Sequence, residues 1–147
     1  MTIPTLNYSG TILINEKLQV LFVFTDGKWD YPTDIVKAGE STKQTALRAV
    51  VEKTNVDPAS IRILRDLPST LQMDGEIIKN IKLIICEYDT NPDYPLHAKM
   101  EQGVFETKWF PISALPIFLM KSNHKYITEF LHELFTRTRV LHRDTKS

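Results

Sequence analysis

The chain predicts a mixed α/β (α+β) domain, and three observations carry that expectation. Short runs rich in β-branched and aromatic residues recur through the first two thirds, a capped amphipathic segment interrupts them, and a second apolar stripe at helical spacing follows the last run. With 147 residues, 42% of them hydrophobic, the chain can bury one core, so residues 1–147 are expected to form a single domain. No repeat or low-complexity linker divides it.

Residues 11–15 and 19–24 are apolar and β-branched, separated by the polar Glu16 and Lys17, which predicts a hairpin or two closely spaced strands. Thr25, Asp26 and Gly27 then break the pattern. Ser41 and Gln44 stand at capping-box spacing, and Ala46, Leu47, Val50 and Val51 recur at helical intervals, so a helix is expected over about 42–54. Asn55 falls where a left-handed C-terminal residue belongs, and Asp57-Pro58 confirms the stop. Residues 62–66 and 69–73 read as strands, with Asp74-Gly75 as the turn into a long strand over 77–88. Residues 90–94 should form an exposed loop, and residues 105–111 the last strand, followed by a short helical turn at 112–115 closed by Pro116. From Ser122 onward, Tyr126, Ile127, Phe130, Leu131, Leu134 and Phe135 make one apolar stripe, which predicts a terminal helix packed on the sheet.

Charge and composition exclude several classes. The 18 basic and 18 acidic residues cancel, so no global field draws the chain to nucleic acid or membrane. The tail at 137–147 holds Arg137, Arg139, Arg143 and Lys146, diluted by Asp144; it reads as a solvated tail suited to a helix C-terminus and as a weak nucleic-acid footprint at most. No apolar stretch approaches the ~20 residues that span a bilayer, and no basic region precedes a long apolar run near residue 1, so a cytoplasmic location is expected. Cys86 is the sole cysteine, set in an apolar run, and reads as a small buried hydrophobe in a reducing compartment. His97, His124, His132 and His142 lack metal-ligand spacing, which argues against zinc.

The segment over residues 29–56 carries the chemistry. Trp29 and Pro32 form a Trp-x-x-Pro approach, Gly39-Glu40 precedes the helix, and Arg48, Val50, Glu52 and Val56 follow in fixed register. In this the sequence resembles the Nudix superfamily, whose signature runs Gly, five residues, Glu, seven residues, Arg-Glu, an aliphatic, any residue, Glu-Glu, any residue, Gly and an aliphatic. The spacing fits without a gap, and the segment at 108–115 resembles the family's late strand and short helix, so the likeness covers roughly residues 8–135. It implies an α/β/α sandwich, with a mixed curved sheet between the signature helix and a C-terminal helix. It also implies a catalytic set of Glu40, Arg48 and Glu52, magnesium or manganese as cofactor, a nucleotide or polyphosphate as small-molecule partner, and a monomer or homodimer.

Departures from the signature fall into two groups. Asn55 in place of the second Gly is structural and mild, costing roughly 1 kcal/mol or less in a left-handed cap. Thr33 and Asp34 replace the usual glycines before the helix, where a side chain blocks close backbone approach or Asp34 lends a carboxylate. The chemical departures lie at Ala49 and Lys53, which with Glu52 occupy the places where the family sets glutamates, at i, i+3 and i+4. Such a cluster holds divalent cations that neutralise a diphosphate and activate water. Here the formal charge is zero instead of minus three, and an ammonium ~4 Å from another unit cation costs about 4 kcal/mol at an effective dielectric of 20, twice that for a divalent ion. The resemblance also implies an acid six positions before Trp109; that place is Gly103, and Glu101 is the nearest substitute as a metal ligand.

Taken singly, the retained residues have plain structural roles: Arg48 and Glu52 as an i, i+4 surface pair, Glu40 as a partner of the helix dipole, and Trp29 and Trp109 as core aromatics. Trp29, Tyr31 and Trp109 also have the chemistry to stack on a nucleobase, and Lys53 and Asp34 to line a substrate site. Three functional readings stay open. The first is a divergent member that binds a nucleoside diphosphate-linked or polyphosphate ligand, with metal-dependent hydrolysis lost or much reduced. The second is an active pyrophosphohydrolase whose metal shell is relocated, using some of Asp34, Glu40, Glu52 and Glu101. The third is a non-catalytic interaction or scaffold subunit acting through the terminal helix or the tail.

Overall fold

A computed structural model describes residues 4–90 and 94–111. The helical turn expected at 112–115, the terminal helix, the basic tail, His124, His132 and His142 lie outside the described residues.

Among the described residues, eight strands form one sheet: β1 Thr5–Asn15, β2 Gln19–Thr25, β3 Lys28–Asp30, β4 Thr33–Ile35, β5 Ile61–Asp66, β6 Thr70–Asp74, β7 Ile77–Tyr88 and β8 Glu106–Pro111. The main path is β3-β2-β1-β7-β5, with β4 also pairing β1, β6 also pairing β7, and β8 pairing β2. Its centre is a parallel pair, β1 and β7, in register from Thr5↔Ile78 to Asn15↔Tyr88; the other pairs are antiparallel. Period-two alternation sends the side chains of these strands into two cores. Ile12, Ile14, Val20, Phe22, Leu83 and Ile85 face one side with Tyr31 and Leu67. Leu13, Leu21, Ile84, Cys86 and Tyr88 face the other, under Ala46, Val50 and Val56. A parallel pair needs both faces covered, and the uninterrupted apolar run at residues 83–86 in β7 reflects it.

The helix α1, Thr42–Thr54, covers the second core. Its N-terminus carries the expected capping box: the Gln44 amide donates to Ser41 Oγ at 3.1 Å and the Ser41 amide to Gln44 Oε1 at 2.8 Å. Asn55 ends it at φ 66°, ψ 24°, with its amide donating to Val51 O, as the left-handed reading required. Two buried hydroxyls fix the helix to β1: Ser9 Oγ donates to Thr42 O at 2.7 Å and Thr11 Oγ1 to Ala46 O at 2.8 Å. These bonds satisfy polar groups that burial would otherwise leave costly.

The structure revises four expected boundaries. β1 begins at Thr5, not residue 11, because the polar segment ahead of Thr11 is held by backbone pairing to β7 and β4 and not by an apolar face. Asp26-Gly27, read as a break, is a two-residue hairpin turn with φ 52° and 76°, and it joins β2 to β3 in register Thr25↔Lys28. The later turn sits one residue on, at Gly75-Glu76, since Asp74 pairs with Ile77. Residues 33–35, to which the sequence reading assigns no element, form β4. Beyond β7, Thr90 is half-buried and Tyr94 exposed.

Candidate functional site

β4 and α1 meet along β1, and Gly10 allows the approach. A Cβ on Gly10 would stand 2.2 Å from Thr33 Cγ2 and 2.5 Å from Pro32 O, so only glycine lets β4 lie in register Gly10↔Thr33. That register places Asp34 opposite Ser9, whose hydroxyl holds the first turn of α1. Arg48, two turns into the helix, then reaches back across the segment that enters it.

Arg48 is the centre of the site. Its Nε donates to Glu40 Oε2 at 2.8 Å and its Nη2 to Glu40 Oε1 at 3.0 Å, a two-point fork. Nη2 also donates to the Ile35 carbonyl at 3.0 Å. Nη1 donates to Asp34 Oδ2 at 2.8 Å and, more loosely, to Glu52 Oε2 at 3.4 Å. The Arg48 and Glu40 side chains are 16% and 17% exposed, Asp34 27% and Glu52 39%, so the fork is the sheltered part and Glu52 the open part. Glu40 gains two further donors, Thr45 Oγ1 at 2.6 Å and the Lys37 amide at 3.3 Å.

These contacts set the ionisation of the site. Hydrogen bonds from Arg48, then Thr45, hold the Glu40 carboxyl down at about 2. For Asp34, burial pushes upward, but the Arg48 and Ile35 hydrogen bonds and the charges of Lys53 and Arg48 together bring it below the usual carboxylate range. The same partners raise Arg48, Glu40 first.

Sequence reasoning named Asp34, Glu40, Arg48 and Glu52, and the structure brings these four together. Two of the pairings differ from the plain reading. Glu40 precedes the capping residue and is bound by Arg48 and Thr45, while the i, i+4 contact of Arg48 with Glu52 is its longest. Ala49 is fully buried and Lys53 half-buried; among the described residues Lys53 makes no ion pair within 4.0 Å. Glu101 lies exposed in a short 3-10 turn, Met100–Gln102, and no ion pair joins it to the Arg48 group. Gly103 follows in the left-handed region at φ 76°. Trp29 packs edge-on to Phe24 and Phe110 at 5.2 and 5.0 Å, and Tyr31, 5% exposed, sits 4.9 Å from the Phe22 ring. Among the described residues, no three His, Cys, Asp or Glu side chains are grouped to hold a metal ion.

Sequence reasoning missed Thr45, Gly10 and the Ile35 carbonyl. An isolated glycine inside a strand pattern was the available signal for Gly10. Thr45 reaches Glu40 five residues back and the Ile35 carbonyl meets Arg48 thirteen residues on, through a bend at the helix entry that spacing does not reveal.

A curved mixed sheet, a capped helix along its parallel pair and an Arg-carboxylate knot at the segment entering that helix define a loop-helix-loop α+β fold. The family model described as NUDIX domain matches residues 6–131, and the chain belongs to that family. The fold is similar to that of a Caenorhabditis elegans Ap4A hydrolase binary complex, with a TM-score of 0.70 at 16% identity, over 89% of this chain and 96% of that one. It is also similar to a Nudix hydrolase from Nitrosomonas europaea (TM-score 0.67, 16% identity, 90% and 73% of the two chains). A third is the MutT protein from Methanosarcina mazei Go1 (TM-score 0.62, 20% identity, 93% and 97%). No curated protein sequence matches the chain. Among the described residues no helix is long and apolar enough to cross a membrane.

Proposed function

We propose that the chain binds a nucleoside diphosphate-linked or polyphosphate ligand through Lys53 and the Arg48 group, with metal-dependent hydrolysis lost or much reduced. The observation that carries this reading is the allocation of charge. Asp34, Glu40 and Glu52 all accept hydrogen bonds from one guanidinium, while Lys53 has no ion-pair partner within 4.0 Å among the described residues. The magnesium or manganese that the family signature implies needs carboxylate oxygens that are not already claimed by a fixed cation. These residues do not fit such an ion: Glu40 is held by four donors, Ala49 supplies no oxygen, and Lys53 brings a positive charge to the same face. An ammonium at that place serves a diphosphate directly as a point charge with three donors. A cytoplasmic setting with small-molecule nucleotides agrees with the reading.

The test is calorimetry with ADP, a dinucleoside polyphosphate and inorganic diphosphate, each in excess chelator and in magnesium. Binding is expected in chelator and is expected to fail in Lys53→Met. Strict magnesium dependence would sink the reading.

The convergence of Asp34, Glu40 and Glu52 favours one alternative, an active hydrolase with a relocated shell. It requires phosphate or monophosphate release with magnesium or manganese, abolished by Glu52→Gln; release unchanged by that substitution removes this site from the reaction.

A further inference from the structure

Asp34 is held the way a bound anion is held. Oδ2 accepts from Arg48 Nη1 at 2.8 Å, and Oδ1 accepts from the backbone amide of Ile35 at 2.8 Å. The charge of Lys53 falls on the same carboxylate. A guanidinium N–H, a backbone N–H and an ammonium are also the donors that receive a phosphate oxygen. The two halves of Arg48 are unequal in a way that matters here. Nε and Nη2 are committed to the Glu40 fork and the Ile35 carbonyl, so the guanidinium stays in place without Asp34. Nη1 is the replaceable arm, shared between Asp34 and the looser Glu52.

Access is also available. The Asp34 side chain is 27% exposed, against 17% for Glu40, so it can turn to solvent with less rearrangement. β4 has only three residues, and Ile35, which ends it, is exposed.

We propose that Asp34 is a built-in competitor at an anion subsite: its carboxylate fills the position between Arg48 Nη1 and the Ile35 amide, and a phosphate group of the ligand binds there by displacing it. The inference rests on the ligand-binding reading of the same site given above, and it adds how the site is occupied before ligand arrives. It makes the affinity of the wild-type protein a difference between two anions competing for one set of donors. A ligand carrying two or more negative charges on adjacent phosphates outcompetes a single carboxylate, whereas a monocarboxylate does not.

Calorimetry of inorganic diphosphate in excess chelator tests the proposal on the full chain, with wild type, Asp34→Gly, Asp34→Asn and Asp34→Glu. Gly opens the subsite, Asn keeps the volume and removes the charge, and Glu keeps a competing carboxylate. Gly and Asn are expected to bind diphosphate on the order of ten-fold tighter than wild type, because one charge-assisted hydrogen bond no longer has to be broken. Glu is expected to give no gain. Urea midpoints confirm that each variant is folded, and Asn preserves the test if Gly at position 34 loosens β4. Gly and Asn variants that are folded and bind no tighter than wild type, or bind nothing, overturn the proposal. The two failures separate cleanly. Metal-free wild-type binding that needs Lys53 yet is indifferent to Asp34 removes the competitor and keeps the ligand reading, while wild-type binding that appears only with magnesium removes the ligand reading itself.

Discussion

Glu40 and Arg48 are joined by two parallel hydrogen bonds at 2.8 and 3.0 Å, and that pair organises every other charge at the site. Thr45 contributes by geometry: its hydroxyl reaches Glu40 Oε1 at 2.6 Å from one turn earlier on the helix, so the carboxylate is gripped from both sides. Linkage makes this visible in stability. The folded-state values of Glu40, at about 2, and of Asp34 lie below those of an unfolded chain, near 4.3 for Glu and 3.9 for Asp. A depressed carboxyl releases its proton more readily when folded, so its contribution is present in full above the unfolded value and is lost as pH falls toward the folded one. The urea midpoint is therefore expected to drop between about pH 5 and pH 2. In Arg48→Met, the first-named cause of the Glu40 shift is gone, so the midpoint should be lower at pH 7 and the fall in that window shallower. An unchanged pH profile in Arg48→Met would show that the guanidinium does not set these ionisations.

Between residue and fold stand the elements, and at that scale β4 decides whether the site exists. It is three residues long and is seated by the register Gly10↔Thr33 with Thr11 N donating to Pro32 O at 3.1 Å. Gly10→Ala would drive a methyl into Thr33 Cγ2 and Pro32 O, and the strand must give way. A loss of about 1–3 kcal/mol is expected from such overpacking, read as a lower urea midpoint with an unchanged slope. Binding of diphosphate should weaken as well, since the Ile35 amide and carbonyl move with β4; a variant as stable as wild type would contradict the close approach. The same element shows where sequence reading ended. The helix α1 was legible from end to end because capping and apolar spacing are local signals, and Ser41, Gln44 and Asn55 each act within four residues of themselves. β7 was legible because its apolar residues, uninterrupted over 83–86, follow the Asp74-Gly75 turn signal. β4 was not, because three residues carry no periodicity and its pairing is decided by Gly10, more than twenty residues away. In the site, the signature register identified Glu40, Arg48 and Glu52, but which acid takes which nitrogen of Arg48 depends on the path of residues 33–40 in space. Asp34, which the sequence leaves open as either an obstacle in a glycine's place or a lent carboxylate, stands in the structure as a direct partner of the guanidinium.

At the scale of the whole molecule, the site and the core share one helix. The outward side of α1 carries Arg48 and Glu52, while Ala46 and Val50 lie in the core that holds Cys86 with Leu13, Leu21 and Ile84. Cys86 is fully buried, and burial, with the Asp66 charge adding to it, pushes its thiol up to about 12. A thiol in that state does not react with an alkylating reagent at neutral pH, so modification must wait for the strands and helix to open. Labelling of Cys86 is thus a reporter of global opening, read on the chain's one cysteine without adding a probe. A ligand that binds only the folded chain lowers the open population by the factor 1 + [L]/Kd. Inorganic diphosphate in excess chelator, at about 100 times its Kd, is therefore expected to slow Cys86 labelling about a hundredfold when reclosing is faster than reaction. Lys53→Met should label at nearly its own unliganded rate under the same conditions, because the ammonium that meets the diphosphate is gone while the core around Cys86 is untouched. Protection by diphosphate that is equal in the two proteins would place the bound anion somewhere other than the outward face of α1.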